Sequence, residues 1–174
     1  MCFYKDKWPK EVRNEEDYDL YIDYFGATQH IVTLDKLKAF LIPFKYKSDV
    51  KDYWQAPHIT YNLKTFDCED MAIMVMDILK KRIGIDKVFF FLYGGYFMKE
   101  GIRIHSGHAI CLFWYNEEWW EYTNKALRFA FKEGEWTFLN YGLRHYPEGL
   151  TWYERRDSSG KVIERRRAWI GLLK

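Results

Sequence analysis

The spacing of apolar and polar residues changes once along this chain. Up to Ile85 the apolar positions recur at helical intervals, and from Val88 onward they come in short β-rich runs. The densest helical stretch covers residues 66–85, FDCEDMAIMVMDILKKRIGI. Met71, Ala72, Val75, Met76, Ile78 and Leu79 lie on nearly every side of such a helix, the mark of one buried on several sides. The pattern predicts that it starts at or just before Cys68 and ends at Gly84. Thr65 or Asp67 caps it, and Asp70 can complete a capping box.

Upstream, residues 10–25 are charged, with Val12, Leu20, Tyr21, Tyr24 and Phe25 apolar, which fits a short helix or a loosely attached arm. Residues 33–41, TLDKLKAFL, predict a helix capped by Thr33 and stopped by Pro43. Ser48 and Pro57 each open a short turn. Downstream, residues 88–93 predict a strand ended by Gly94-Gly95, then a loop over 98–107 and a second strand over 108–115. A turn at 116–118 leads to a third strand over 119–124, with Trp119 and Trp120 on opposite faces. A β segment over 134–138 and a hairpin over 151–169, turning at DSSG, complete the chain. Helices first and antiparallel strands after make an α+β domain, with the central helix packed on the sheet. We expect an N-terminal arm over 1–30, a core over 31–145 and a β-hairpin extension of the same domain over 146–174.

Composition narrows the class. The chain has 174 residues, 48% of them apolar and 20% aromatic, which is globular and argues against disorder. A net charge of +2 gives no polyanion signal. Arg155, Arg156, Lys161, Arg165, Arg166 and Arg167 alternate with Glu154 and Glu164, the pattern of a solvated hairpin rather than a nucleic-acid site. No apolar run reaches the ~18 residues of a spanning helix. The N-terminus lacks the apolar centre of a signal peptide, so the expected location is cytoplasmic. Cys2, Cys68 and Cys111 form no CxxC pair, which disfavours a disulfide scaffold or a structural zinc site.

Cys68 is the candidate for chemistry. At the first turn of a helix, free backbone N–H groups and the positive dipole end favour a thiolate. Nucleophilic cysteine catalysis then needs a histidine and a group to orient its ring. His108, at the start of the second strand, leads for the first role, ahead of His105 in the preceding loop. With the hairpin centred near Asn116 or Glu117, antiparallel pairing puts Asn124 opposite His108 or one diagonal away on the same face. Glu121 has the wrong parity for that face, and Cys111 points away as a small buried residue. His30, His58 and His145 read as surface or loop residues.

The order Cys, His, Asn, with DYWQAP at 52–57, FDCEDMAI at 66–73, SGHAICLFW at 106–114 and WWEYTN at 119–124, resembles the bacterial transglutaminase-like cysteine proteinases of the papain and transglutaminase superfamily. The likeness covers residues 52–124. Phe66 replaces the family's usual glycine, and Asn124 stands where its nearest members carry Asp. The resemblance implies a calcium-linked cysteine protease acting on a protein or peptide substrate. It makes Cys68 the nucleophile, His108 the general base and acid, and Asn124 the orienting group. It makes Asp67 and Glu69 the calcium-contacting acids. The Cys68 backbone N–H and Trp54 would form the oxyanion hole, with Gln55 a weaker choice.

Three readings follow. The first is thiol-dependent hydrolysis of a peptide or side-chain amide through a thioester, with acyl transfer or deamidation at the same site as its near rival. The second is a catalytically inactive protein-binding module of the same fold. The third, weaker one is nucleic-acid binding through the basic C-terminal residues. The acids beside Cys68 oppose the helix end by raising the thiol pKa. A bound calcium ion would reverse that local sign.

Overall fold

The computed structural model of the protein describes residues 8, 14–48, 54–124, 126–132 and 138–170, the last three by backbone alone. Helix α1 (Glu15–Thr28) starts where the Asn14 side chain accepts from Asp17 N, and it buries Tyr24 and Thr28. Helix α2 (Leu34–Leu41) is capped by Thr33, as its sequence predicts. Two short strands, β1 (Lys45–Tyr46) and β2 (Thr65–Phe66), pair in parallel on either side of α3 (Pro57–Leu63) in the chain. Then comes α4 (Cys68–Ile78). Asp67 is its N-cap, and Asp67 and Asp70 each accept from the other's backbone N–H. A π-helical turn over Leu79–Ile83 closes at Gly84, whose φ of 80° only glycine adopts without strain.

The β half is one six-stranded antiparallel sheet. Its strands are β3 (Val88–Lys99), β4 (Ile102–Tyr115), β5 (Glu118–Thr123), β6 (Ala126–Lys132), β7 (Leu150–Arg156) and β8 (Val162–Ile170), ordered β6-β5-β4-β3-β7-β8. Alternation divides the central strands between two cores. Phe90, Leu92, Ala109, Cys111 and Phe113 pack against α4. Phe91, Tyr93, Ile110, Leu112 and Trp119 pack on the other side, with Tyr141 of helix α5 (Phe138–His145). Trp119 and Trp120 do fall on opposite faces. The architecture is α+β, with the Cys68 helix laid on an antiparallel sheet.

Several elements differ from the sequence expectation. Gly94-Gly95 does not end β3. A Cβ on Gly94 would lie 2.5 Å from the Trp152 indole nitrogen, and one on Gly95 would lie 2.4 Å from the Gly149 carbonyl. The two glycines make room for β7 at a register shift between the strands. Residues 98–107 are therefore the tip of a long hairpin, turning at Glu100-Gly101 with both φ values positive, and His105 lies in β4 rather than in a loop. Strand β6 and helix α5 are additions. Residues 134–137 of the expected β segment lie outside the described residues, and Phe138 begins α5. The turn after Ser48 and Cys2 also lie outside them. His58 is buried at 2% exposure against Tyr21, not at the surface. The 155–167 arginines are not all solvated: Arg156 is buried and donates to the buried Glu154, as does Arg165.

Candidate active site

The cap that starts α4 sets the site. Asp70, 1% exposed, uses one carboxylate oxygen for Asp67 N and the other for Gln55 N at 2.7 Å. One side chain thus fixes the helix start and the Trp54–Gln55 backbone together. That bond occupies the Gln55 backbone N–H. Trp54 is buried, edge-on to Phe90 and under the Arg156 guanidinium at 5.2 Å.

Cys68 is the first residue of α4, so its N–H has no helical acceptor. Its thiol donates to Glu69 Oε2 at 3.0 Å and receives the Ala109 N–H. Burial first, then the charge and hydrogen bond of Glu69, push the thiol well above its ordinary pKa. Glu69 is itself pushed up to about 8, by burial first and then by the charge of Asp67, whose side chain also shares a hydrogen bond with it. Tyr46 faces Cys68, Asp67 and Glu69 electrostatically from the edge of the small sheet.

His108 lies on β4 next to Ala109, the residue whose amide reaches the thiol. Its Nε2 is in a 2.6 Å hydrogen bond with Thr123 Oγ1. Burial first, then the neighbouring His145, hold its pKa down to about 4, so the ring is neutral at pH 7. Tyr93 stands edge-on to it with ring centroids 5.9 Å apart. By alternation the ring belongs with Tyr93 and Ile110 on the α5 side, whereas α4 covers the other side. Cys68 reaches β4 along its edge, beyond Cys111 where β5 stops pairing. The structure brings the thiol to the backbone beside His108, but each group's hydrogen bond goes elsewhere: the thiol's to Glu69, the ring's to Thr123.

The register explains where the orienting group falls. The β4–β5 turn is the two-residue pair Asn116-Glu117, with φ of 51° and 63°. It pairs Tyr115 with Glu118 and Cys111 with Tyr122. Extended along the strands, that register puts Thr123 opposite Ile110, one diagonal from His108 and on its face. Asn124 falls on the other parity, exposed in the turn after β5 with φ of 42°. Glu121, opposite Leu112, is on the His108 face after all. It is buried, and among the described residues its Oε2 has no hydrogen-bond partner. Burial raises it to about 7 against the opposing pull of Arg128 and Arg144. Cys111 does face away from His108, buried against α4.

Asp67 and Glu69 offer the hard oxygen donors that calcium takes. Two carboxyl groups facing each other, one of them held protonated near neutrality, suit a divalent cation. Among the described residues no third His, Cys, Asp or Glu joins them in a metal-binding cluster, so further oxygens would come from backbone carbonyls or water.

No family model matches this chain, and no curated protein matches it in sequence. Solved structures do. Legionella pneumophila LapG superposes with a TM-score of 0.50 at 16% identity, over 82% of this chain and 77% of that one. Calcium-bound LapG gives 0.51 at 14% identity, over 94% and 88%. EGTA-treated LapG gives 0.50 at 15%, over 87% and 83%. The fold is thus the transglutaminase-like one.

Proposed function

We propose that this chain is a cysteine-dependent hydrolase of amide bonds in a protein or peptide, working through a thioester on Cys68. The observation that carries the reading is Cys68 at the first position of a capped helix, with its sulfur against the Ala109 amide and His108 next along the strand. The likeness to LapG, a transglutaminase-like cysteine protease, supports the same reading.

With Nε2 engaged by Thr123, Nδ1 is the ring nitrogen left to meet the thiol. The thiol proton passes from Sγ to Nδ1, and Sγ attacks the substrate carbonyl carbon. The oxyanion meets the Cys68 N–H, with Trp54 at the neighbouring wall. The imidazolium then gives its proton to the leaving amine, and the thioester remains. Water, deprotonated by His108, releases the acid; a second amine in place of water gives transfer. Thr123 is the orienting partner, and Asn124 shapes the turn that carries it. Asp67 and Glu69 would hold a calcium ion, whose positive charge would favour the thiolate against the burial and the Glu69 contact that now keep the thiol protonated.

The Cys68–Glu69 hydrogen bond favours a second reading, a binding module with an idle thiol. Iodoacetamide separates the two. An enzyme labels rapidly at Cys68 and loses that rate in His108→Ala. Labelling that ignores His108 would leave only the binding module.

A further inference from the structure

We infer that the substrate binds as an extended peptide added to the open edge of β4, in line with Cys68. This rests on the hydrolase reading and names the form of its substrate. Strand β4 pairs with β3 from Ile102 to Phe113, but with β5 only from Cys111 to Tyr115. Strand β5 ends at Thr123 and turns into β6. From Ile102 to Ile110, the β5 side of β4 therefore has no ladder partner among the described residues.

The direction of that edge is fixed by Cys68. In an antiparallel strand the N–H and C=O of one residue point the same way, and the direction alternates along the chain. Ala109 N–H points outward on this side, because it meets Cys68 Sγ. The backbone groups of Gly107 and His105 share its direction, and both residues are exposed. Among the described residues, the Gly107 carbonyl accepts only a local 3.3 Å side-chain bond, from Ser106 Oγ. Proteins ordinarily guard such an edge with a bulge, a proline or a cover. Here β4 contains no proline, and its registers with β3 and β5 run without a shift.

A substrate strand laid here would pair its backbone with His105 and Gly107 and continue straight to the sulfur. Strand addition of this kind takes affinity from main-chain hydrogen bonds and selectivity from alternate side chains. One set would face Trp152, whose ring lies over Gly94 and Gly107 on the α4 side. The other would face the α5 side. A folded helix or a compact small molecule cannot make that ladder.

The test uses acetyl-tetra-alanyl chloromethyl ketone, read by mass as modification of Cys68 in the full chain. It should react at least tenfold faster than acetyl-alanyl chloromethyl ketone. Methylation of its peptide nitrogens should cut the rate tenfold or more at every second position and leave the others within twofold. Equal rates for the long and short reagents, or a loss that ignores which nitrogen is methylated, would overturn strand addition and leave the hydrolase intact. Iodoacetamide labelling of Cys68 that His108→Ala does not change would overturn both.

Discussion

Thr123 gives the His108 ring its hydrogen bond, and removing that hydroxyl should loosen the ring without unfolding the strand. Thr123→Val keeps the shape and removes the oxygen. A bond of this kind is worth about 1 kcal/mol net, so Cys68 alkylation at pH 7 should slow about fivefold while Tm moves by a few degrees at most. Asn124→Gly keeps the left-handed turn and should leave that rate within twofold. The reverse ranking would restore Asn124 as the orienting group. Two buried ionisable groups on the same face predict opposite pH effects on stability. His108 is held near 4 when folded and titrates near 6.5 when unfolded, so its neutral form favours folding. The His108 contribution is full above pH 6.5 and falls by up to ~3 kcal/mol as pH drops toward 4. Glu121, raised from 4.5 to about 7, costs stability as pH rises through that range. Glu121→Gln should therefore gain about 3 kcal/mol at pH 8 and little at pH 4.5, measured by urea unfolding.

At the scale of elements, α4 was legible in the sequence because its signals are local: an Asp67–Asp70 capping box, apolar residues all round, and a closing Gly84. Helix α2 was legible for the same reason. What sequence patterns missed depends on distant partners. Gly94-Gly95 looks like a strand end until Trp152 and Gly149 of a later segment explain it. The two-residue turn at Asn116-Glu117 lacks the glycine that usually marks it, and an error of one residue there moved the candidate partner of His108 from Thr123 to Asn124. The Asp70–Gln55 bond joins two segments 15 residues apart and has no local signature. Packing at the glycines gives a direct prediction. Gly94→Ala forces the Trp152 ring to shift and should lower stability by about 1–3 kcal/mol, read as a Tm loss of several degrees. An unchanged Tm would mean that Trp152 does not rest on that strand.

For the whole molecule, the helical and sheet halves meet across the core under α4, and at the edge of that contact α4 brings its thiol to β4. Burial first, and then the acids beside the thiol, make the resting site a protonated one, and those acids are the natural place for a cation to act. Calcium at 100 times its dissociation constant should stabilise the fold by about 2.7 kcal/mol, raising Tm by roughly 5–10 °C. Asp67→Asn with Glu69→Gln should abolish that rise, and a rise that survives both changes would place the ion elsewhere. The central claim is that His108 makes Cys68 a usable nucleophile. The measurement that meets it head-on is the pH dependence of Cys68 alkylation by iodoacetamide, with calcium present, in the unaltered chain and in His108→Ala. The account predicts a rate that is already high at pH 7 in the first and that rises only above pH 9 in the second. Superimposable profiles would contradict it.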